Sequence, residues 1–223
     1  MKSNRLKEYF ENNNGKLIHK WIHYFDIYDR HFVRYRNKSV TILEFGVFQG
    51  GSLQMWRHYF GKKARIIGVD INPKCKSLEE KGIEIYIGDQ EDKIFLRELM
   101  DKVGSVDVVI EDGGHRMKQQ INTFTEVYPH VREGGIFLIE DLHTSYWSDY
   151  GGGYKNPSSF IEYAKNLIDD INAWHSRDNE SFKVNDNTKT IGGMHIYDSV
   201  IVFDKVSVKE PGHKKTGNKT IGW

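Results

Sequence analysis

Apolar positions along this chain fall into two rhythms that alternate with each other. Short β-branched runs occur at Val40-Thr41-Ile42-Leu43-Glu44-Phe45, Ala64-Arg65-Ile66-Ile67-Gly68-Val69, Ile83-Glu84-Ile85-Tyr86-Ile87, Val106-Asp107-Val108-Val109-Ile110 and Ile136-Phe137-Leu138-Ile139. Runs of this kind predict strands buried in a parallel sheet. Between them, apolar residues return at helical spacing: Leu53, Trp56 and Tyr59; then Leu96, Leu99, Met100 and Val103; then Ile121, Phe124, Tyr128 and Val131. Alternation of strand and helix argues for a doubly wound α/β sheet with helices on both faces.

The flanks read differently. Leu17, Trp21, Phe25, Tyr28 and Phe32 predict one amphipathic helix after a break at Asn12-Asn13-Asn14-Gly15. That helix packs on the sheet domain, and one edge of it (Tyr24, Tyr28, Arg30, His31) is available as a lid. Beyond the sheet, Phe160, Ala164, Leu167, Ile171 and Trp174 predict another helix, followed by a polar loop from His175 to Thr190. His195 to Phe203 reads as one strand or two closely linked ones, with Val206-Ser207-Val208 as its continuation. The expected division is therefore an N-terminal helical cap (1–39), an α/β domain (40–210) and a basic tail (211–223).

Composition narrows the classes. The 223 residues suffice for one domain with a full core, and the net charge of +1 gives no polyanion-binding signature, so no nucleic-acid partner is expected. A single cysteine, Cys75, excludes an internal disulfide framework and points to a reducing, cytoplasmic setting. The polar start Met1-Lys2-Ser3-Asn4 lacks the apolar core of a signal peptide. No apolar run approaches the ~20 residues of a spanning helix, so no membrane insertion is expected.

Candidate chemistry gathers where strands end. The first strand runs into Gly46 and then Gly50-Gly51-Ser52 before a helix, an arrangement suited to an anion or nucleotide. It is neither G-x-G-x-x-G nor a Walker loop. Asp70 ends the second strand, placed to accept from ribose hydroxyls; Asp89-Gln90 ends the third, placed to meet an adenine edge. Two further strands stop at acid: Glu111-Asp112-Gly113-Gly114-His115, and Glu140-Asp141-Leu142-His143. Either cluster alone would also serve as a turn cap. Together, at the carboxyl ends of successive strands, they suit a hard divalent ion and a base. Tyr146, Trp147 and Tyr154 lie close by in sequence and suit a sugar ring or the core equally.

Taken together, Glu44-x-Gly46 with Gly50-Gly51-Ser52, Asp70 and Gly88-Asp89-Gln90 resemble a class I S-adenosylmethionine-dependent methyltransferase. That resemblance implies a seven-stranded Rossmann-like sheet whose last strands are antiparallel. Within the class, the Asp112–His115 and Glu140–Trp147 stretches resemble metal-dependent sugar O-methyltransferases of the mycinamicin type and rhamnosyl O-methyltransferases. The resemblance implies Mg2+, or another divalent cation, held by Asp112, Glu140 and Asp141, with His115 as base and His143 on the acceptor side. It implies cofactor contacts at Glu44, Gly46, Gly51, Ser52, Asp70, Asp89, Gln90 and Asp112. The implied partner is a sugar or nucleotide-sugar substrate, part of a surface glycan or a natural product, and a homo-oligomer stays open. Two departures stand out: His143 occupies a position where glutamine is usual, and little of the family's longer N-terminal portion is present. A catechol, phenol or carboxylate methyltransferase, or a nucleotide-binding protein without methyl transfer, remains as an alternative.

Overall fold

The computed structural model describes residues 4–178 and 180–222. Its elements, in chain order, are α1 (Arg5–Glu11), α2 (Tyr24–Phe32), β1 (Thr41–Phe45), α3 (Gly51–Phe60), β2 (Arg65–Asp70) and β3 (Ile83–Ile87). There follow α4 (Lys93–Val103), β4 (Val106–Glu111), α5 (Met117–Val127), β5 (Val131–Ile139), α6 (Phe160–Asn172), α7 (Asp186–Thr190), β6 (Ile191–Tyr197) and β7 (Val200–Lys205). The strands form one seven-stranded sheet of order β3-β2-β1-β4-β5-β7-β6. β3 through β5 pair in parallel, and β7 is antiparallel to both β5 and β6. The order reverses between β1 and β4, where an open α/β sheet offers a crevice at its carboxyl edge.

Strand alternation sorts the core into two layers. Ile42, Ile66, Val108, Ile136 and Val202 face a cluster containing Leu6, Phe25, Tyr28 and Trp56. Leu43, Phe45, Ile67, Val109, Phe137 and Phe203 face the other, with Leu96, Phe124, Phe160 and Leu167. The N-terminal helices thus share a core with the sheet. Glu44 falls in the Ile42 register, so its carboxylate is carried into the first layer beside Trp56.

Several expectations shift in detail. The N-terminal helix begins only at Tyr24, while Leu17 and Trp21 are 59% and 53% exposed. Their helical spacing was coincidental: residues 13–23 run as irregular chain, and the residues buried there are Ile18 and Lys20. Of the two readings of the His195–Phe203 stretch, two linked strands hold, and they reach further, over 191–205, joined by a turn in which Ser199 has φ 62°. Val206 and Val208 donate to the carbonyls of Thr190 and Lys189 without extending β7. The expected loop before Thr190 contains α7, started by a reciprocal cap between Asn185 and Thr188. The tail beyond residue 210 is exposed and has no regular secondary structure over its described residues.

Candidate active site

The glycine turn after β1 is fixed by its neighbours. Gly46 has φ +93°, and a Cβ there would lie 1.9 Å from the carbonyl oxygen of Asp112, so the ends of β1 and β4 approach only because the side chain is missing. Asp70 Oδ2 accepts from the backbone N–H groups of Val47 (2.9 Å) and Phe48 (3.0 Å), and its Oδ1 accepts from Asn72 (2.8 Å). Oδ2 thus spends both lone pairs on the turn, and Oδ1 retains one for a ribose hydroxyl. Glu44 is fully buried beneath the turn and accepts from Ser52 Oγ (2.7 Å) and Trp56 Nε1 (2.8 Å). Burial pushes its carboxyl up to about 7, against the pull of the Lys20 ammonium. Gly51 serves the N-terminal segment: an added Cβ would meet the carbonyl oxygens of Leu17 and Lys16 at 2.3 and 2.4 Å.

Asp89 Oδ1 caps the turn at Glu91 N (2.8 Å). The Gln90 amide is occupied by protein: Nε2 donates to Glu111 Oε1 (2.6 Å) and Oε1 accepts from Gly114 N (3.1 Å). Its side chain therefore supports the Gly113-Gly114 turn that leads to His115, in addition to lining the cavity.

At the tips of β4 and β5, Asp112, His115 and Asp141 present ligand-competent atoms all within 4.8 Å of one another. His115 Nε2 lies 3.4 Å from Asp141 Oδ2 and 4.0 Å from Asp112 Oδ1, and its buried Nδ1 has no partner. Both His115 (φ 54°) and Asp141 (φ 55°) adopt the left-handed conformation. That conformation is costly for non-glycine residues and concentrates at functional sites. Glu140 is turned inward: Oε1 accepts from Tyr28 Oη (2.6 Å) and Oε2 from Lys20 Nζ (3.0 Å). Lys20 Nζ also contacts Asp112 Oδ2 and stands 3.7 Å from Glu44 Oε1, with its side chain 2% exposed. Burial opposes its charge, but the Asp112, Glu140 and Glu44 carboxylates outweigh burial and hold the ammonium protonated. Tyr24 Oη donates to Asp141 Oδ1 (2.6 Å). Burial raises the phenols of Tyr24 and Tyr28, so both remain donors.

His143 sits on the outer side. Its Nδ1 is 2.6 Å from Ser199 Oγ in the β6–β7 turn and 4.0 Å from Asp141 Oδ1. The rings of Trp21 and Trp147, each about half exposed, meet it edge-on at 5.8 and 4.8 Å between centroids. Tyr146 and Tyr154 are exposed as well.

A cavity of about 510 Å³ connects these parts. Gly46, Ser52, Asp70, Asp89, Gln90, Asp112, His115 and Asp141 line it, whereas Glu44, Gly51, Glu140 and His143 stand behind or beside it. Its volume lies in the range of small-molecule sites. The Asp112 and Asp141 carboxylates at its inner end, with Glu140 one ammonium away, fit a hard divalent ion. Leu17 to Lys20 form one wall, in a segment whose helical spacing from Leu17 to Trp21 pointed to a helix instead. A lysine between His19 and Trp21 in an irregular stretch reads as solvated until the carboxylates around it are seen.

The sheet order, the antiparallel final pair and the glycine turn define a Rossmann-like methyltransferase fold. Residues 43–142 match the family model described as a methyltransferase domain. The chain is 35% identical over 209 residues to demethylmacrocin O-methyltransferase of Streptomyces fradiae, covering 88% of this chain and 52% of that protein. It is 35% identical over 195 residues to mycinamicin VI 2''-O-methyltransferase of Micromonospora griseorubida, covering 83% and 48%. The MycE methyltransferase of the mycinamycin biosynthetic pathway, solved in complex with Mg and SAH, superposes with TM-score 0.82 at 32% identity, over 95% of this chain and 55% of that one. The chain thus spans about half the length of the curated relatives it matches. Among the described residues no helix is long and apolar enough to cross a membrane.

Proposed function

We propose that this chain is an S-adenosylmethionine- and Mg2+-dependent O-methyltransferase acting on a sugar hydroxyl of a glycosylated small molecule. The carrying observation is one continuous cavity that runs from the Gly46–Asp70 turn to the Asp112, His115 and Asp141 tips. Similarity to enzymes named for methylating sugars of macrolides and tetracenomycins supports the acceptor class.

Asp70 and the turn it braces hold the ribose end of the donor, and the Gly88–Gln90 corner takes the base. Methyl transfer from a sulfonium is an in-line displacement, so alignment of donor and acceptor carries much of the catalysis, on the order of 7–11 kcal/mol. Asp112 and Asp141 would hold the divalent ion, with Glu140 reinforcing Asp112 through their shared ammonium. When bound, such an ion acidifies a hydroxyl that it touches. His115 takes the hydroxyl proton, its ring held by the left-handed backbone and the Asp141 contact. Trp21 and Trp147 flank His143 at the mouth, giving apolar faces and one imidazole edge to an acceptor ring.

Calorimetry with S-adenosylhomocysteine, followed by methyl transfer to a panel of rhamnosides, macrolide glycosides, nucleotide sugars and catechols, tests this. Micromolar binding and chelator-sensitive methylation of a glycoside are expected. Turnover of catechols alone, or turnover that survives both chelation and Asp112→Asn, would overturn the proposal.

A further inference from the structure

Lys20 touches no reacting group in the chemistry outlined above, yet its ammonium is buried among the carboxylates of the site. Its ammonium touches Asp112 Oδ2, lies 3.0 Å from Glu140 Oε2 and 3.7 Å from Glu44 Oε1. Among the described residues, no arginine and no other lysine pairs with any of these three carboxylates. We infer that Lys20 is an internal counter-cation that keeps the carboxylate tips assembled before a divalent ion arrives and lowers the affinity with which that ion binds. The inference rests on the metal-dependent methyltransferase reading.

Charge counting supports it. Glu44, Asp112, Glu140 and Asp141 carry four negative charges when ionised, against one on Lys20, which leaves an excess of three. A divalent ion and a sulfonium together supply three positive charges. The ammonium therefore leaves room for both ligands while preventing four acids from facing one another with no cation among them. Two cations drawing on the same Asp112 and Glu140 carboxylates repel each other in a poorly screened interior. The ion binds in spite of Lys20, whose pairing competes for the same oxygens. A lysine that merely held the segment in place would, when removed, leave metal affinity unchanged or weaken it.

The test is Mn2+ titration by calorimetry on the full chain saturated with S-adenosylhomocysteine. Lys20→Met is expected to bind Mn2+ at least about tenfold more tightly than the wild type, and Lys20→Arg to stay within about threefold of it. Equal or weaker Mn2+ binding by a folded Lys20→Met overturns the inference. A wild type and a Lys20→Met that are both silent remove the metal reading itself, and the inference with it. Should Lys20→Met not fold, the 15Nζ resonance of Lys20 in the wild type answers the question during Mg2+ titration. A shift that saturates with the calorimetric constant supports shared carboxylates, and a resonance that does not move overturns them.

Discussion

Gly51→Ala is the sharpest test of whether residues 17–20 wall the proposed cofactor cavity. The added Cβ would stand 2.3 Å from the carbonyl oxygen of Leu17 and 2.4 Å from that of Lys16, where ordinary contact begins at 3.4 Å. The segment must retreat by about 1 Å, and because both obstacles are backbone, no rotamer change can absorb the clash. Overpacking of this kind costs roughly 1–3 kcal/mol. Part is taken up by bonds that can stretch, such as Lys16 Nζ to Leu78 O at 3.1 Å and Lys16 N to Gln54 Oε1 at 3.3 Å. If the remainder lowers the docked fraction of the segment, affinity for S-adenosylhomocysteine falls by about tenfold, with ~100-fold as a ceiling. The sheet core is untouched, so the melting temperature should drop by only about 2–4 °C per kcal/mol. Calorimetry with S-adenosylhomocysteine and hydrogen exchange across residues 14–23 measure both quantities. Faster exchange there with unchanged affinity would show that the segment docks without forming the binding wall.

Three further outcomes are expected. Asp141→Asn should weaken Mn2+ binding by more than about tenfold in calorimetry, since the remaining carboxylate in the opening is Asp112. Trp147→Ala should raise the acceptor KM by roughly three- to thirtyfold in the methylation assay and leave cofactor affinity unchanged, because its ring meets His143 and no donor-side residue. His31 makes stability depend on acid. Burial, with His195 and the nearby guanidiniums of Arg34 and Arg30, lowers its imidazole from 6.5 to about 4 in the folded chain. The unfolded chain therefore binds the proton first as pH falls. Stability is fully present above pH 6.5 and is lost as pH drops through 4, by an amount on the order of 3 kcal/mol. Urea unfolding of His31→Gln between pH 4 and 7 should show a flatter acid limb than the wild type, and an equal slope would refute this.

The fold was largely legible because buried parallel strands leave continuous apolar runs and their covering helices leave a clean stripe, as at Leu96, Leu99, Met100 and Val103. What the pattern could not resolve was chain that obeys no period. Leu17 and Trp21 mimic a helical stripe, but the segment from Lys16 to Lys20 is held by polar contacts to distant parts of the chain, through Lys16 to Leu78 and Lys20 to Glu140. Periodicity reports one chain's relation to one surface, and those contacts join three elements. The lid-like edge of α2 was legible in part: Tyr24 and Tyr28 do reach Asp141 and Glu140, whereas His31 meets Tyr197 on the β6 edge.

The two acid pairs look interchangeable in sequence, and the structure divides them in the same way twice. Glu111 closes β4 and Glu140 directly follows β5, and Glu140 N donates to Glu111 O between them. Each is buried, at 0% and 1% exposure, and each is held by one amide or phenol, Gln90 for Glu111 and Tyr28 for Glu140. The aspartate that follows lines the cavity, Asp141 by means of its left-handed backbone. The longer side chain thus serves where a carboxylate must reach into the protein to brace the turn. The shorter one serves where it must stop at the rim and leave space for a ligand. This division makes the two kinds of acid separable by experiment. Glu→Gln at 111 or 140 should act first on folding and on the aim of the turns, and Asp→Asn at 112 or 141 first on what the cavity binds.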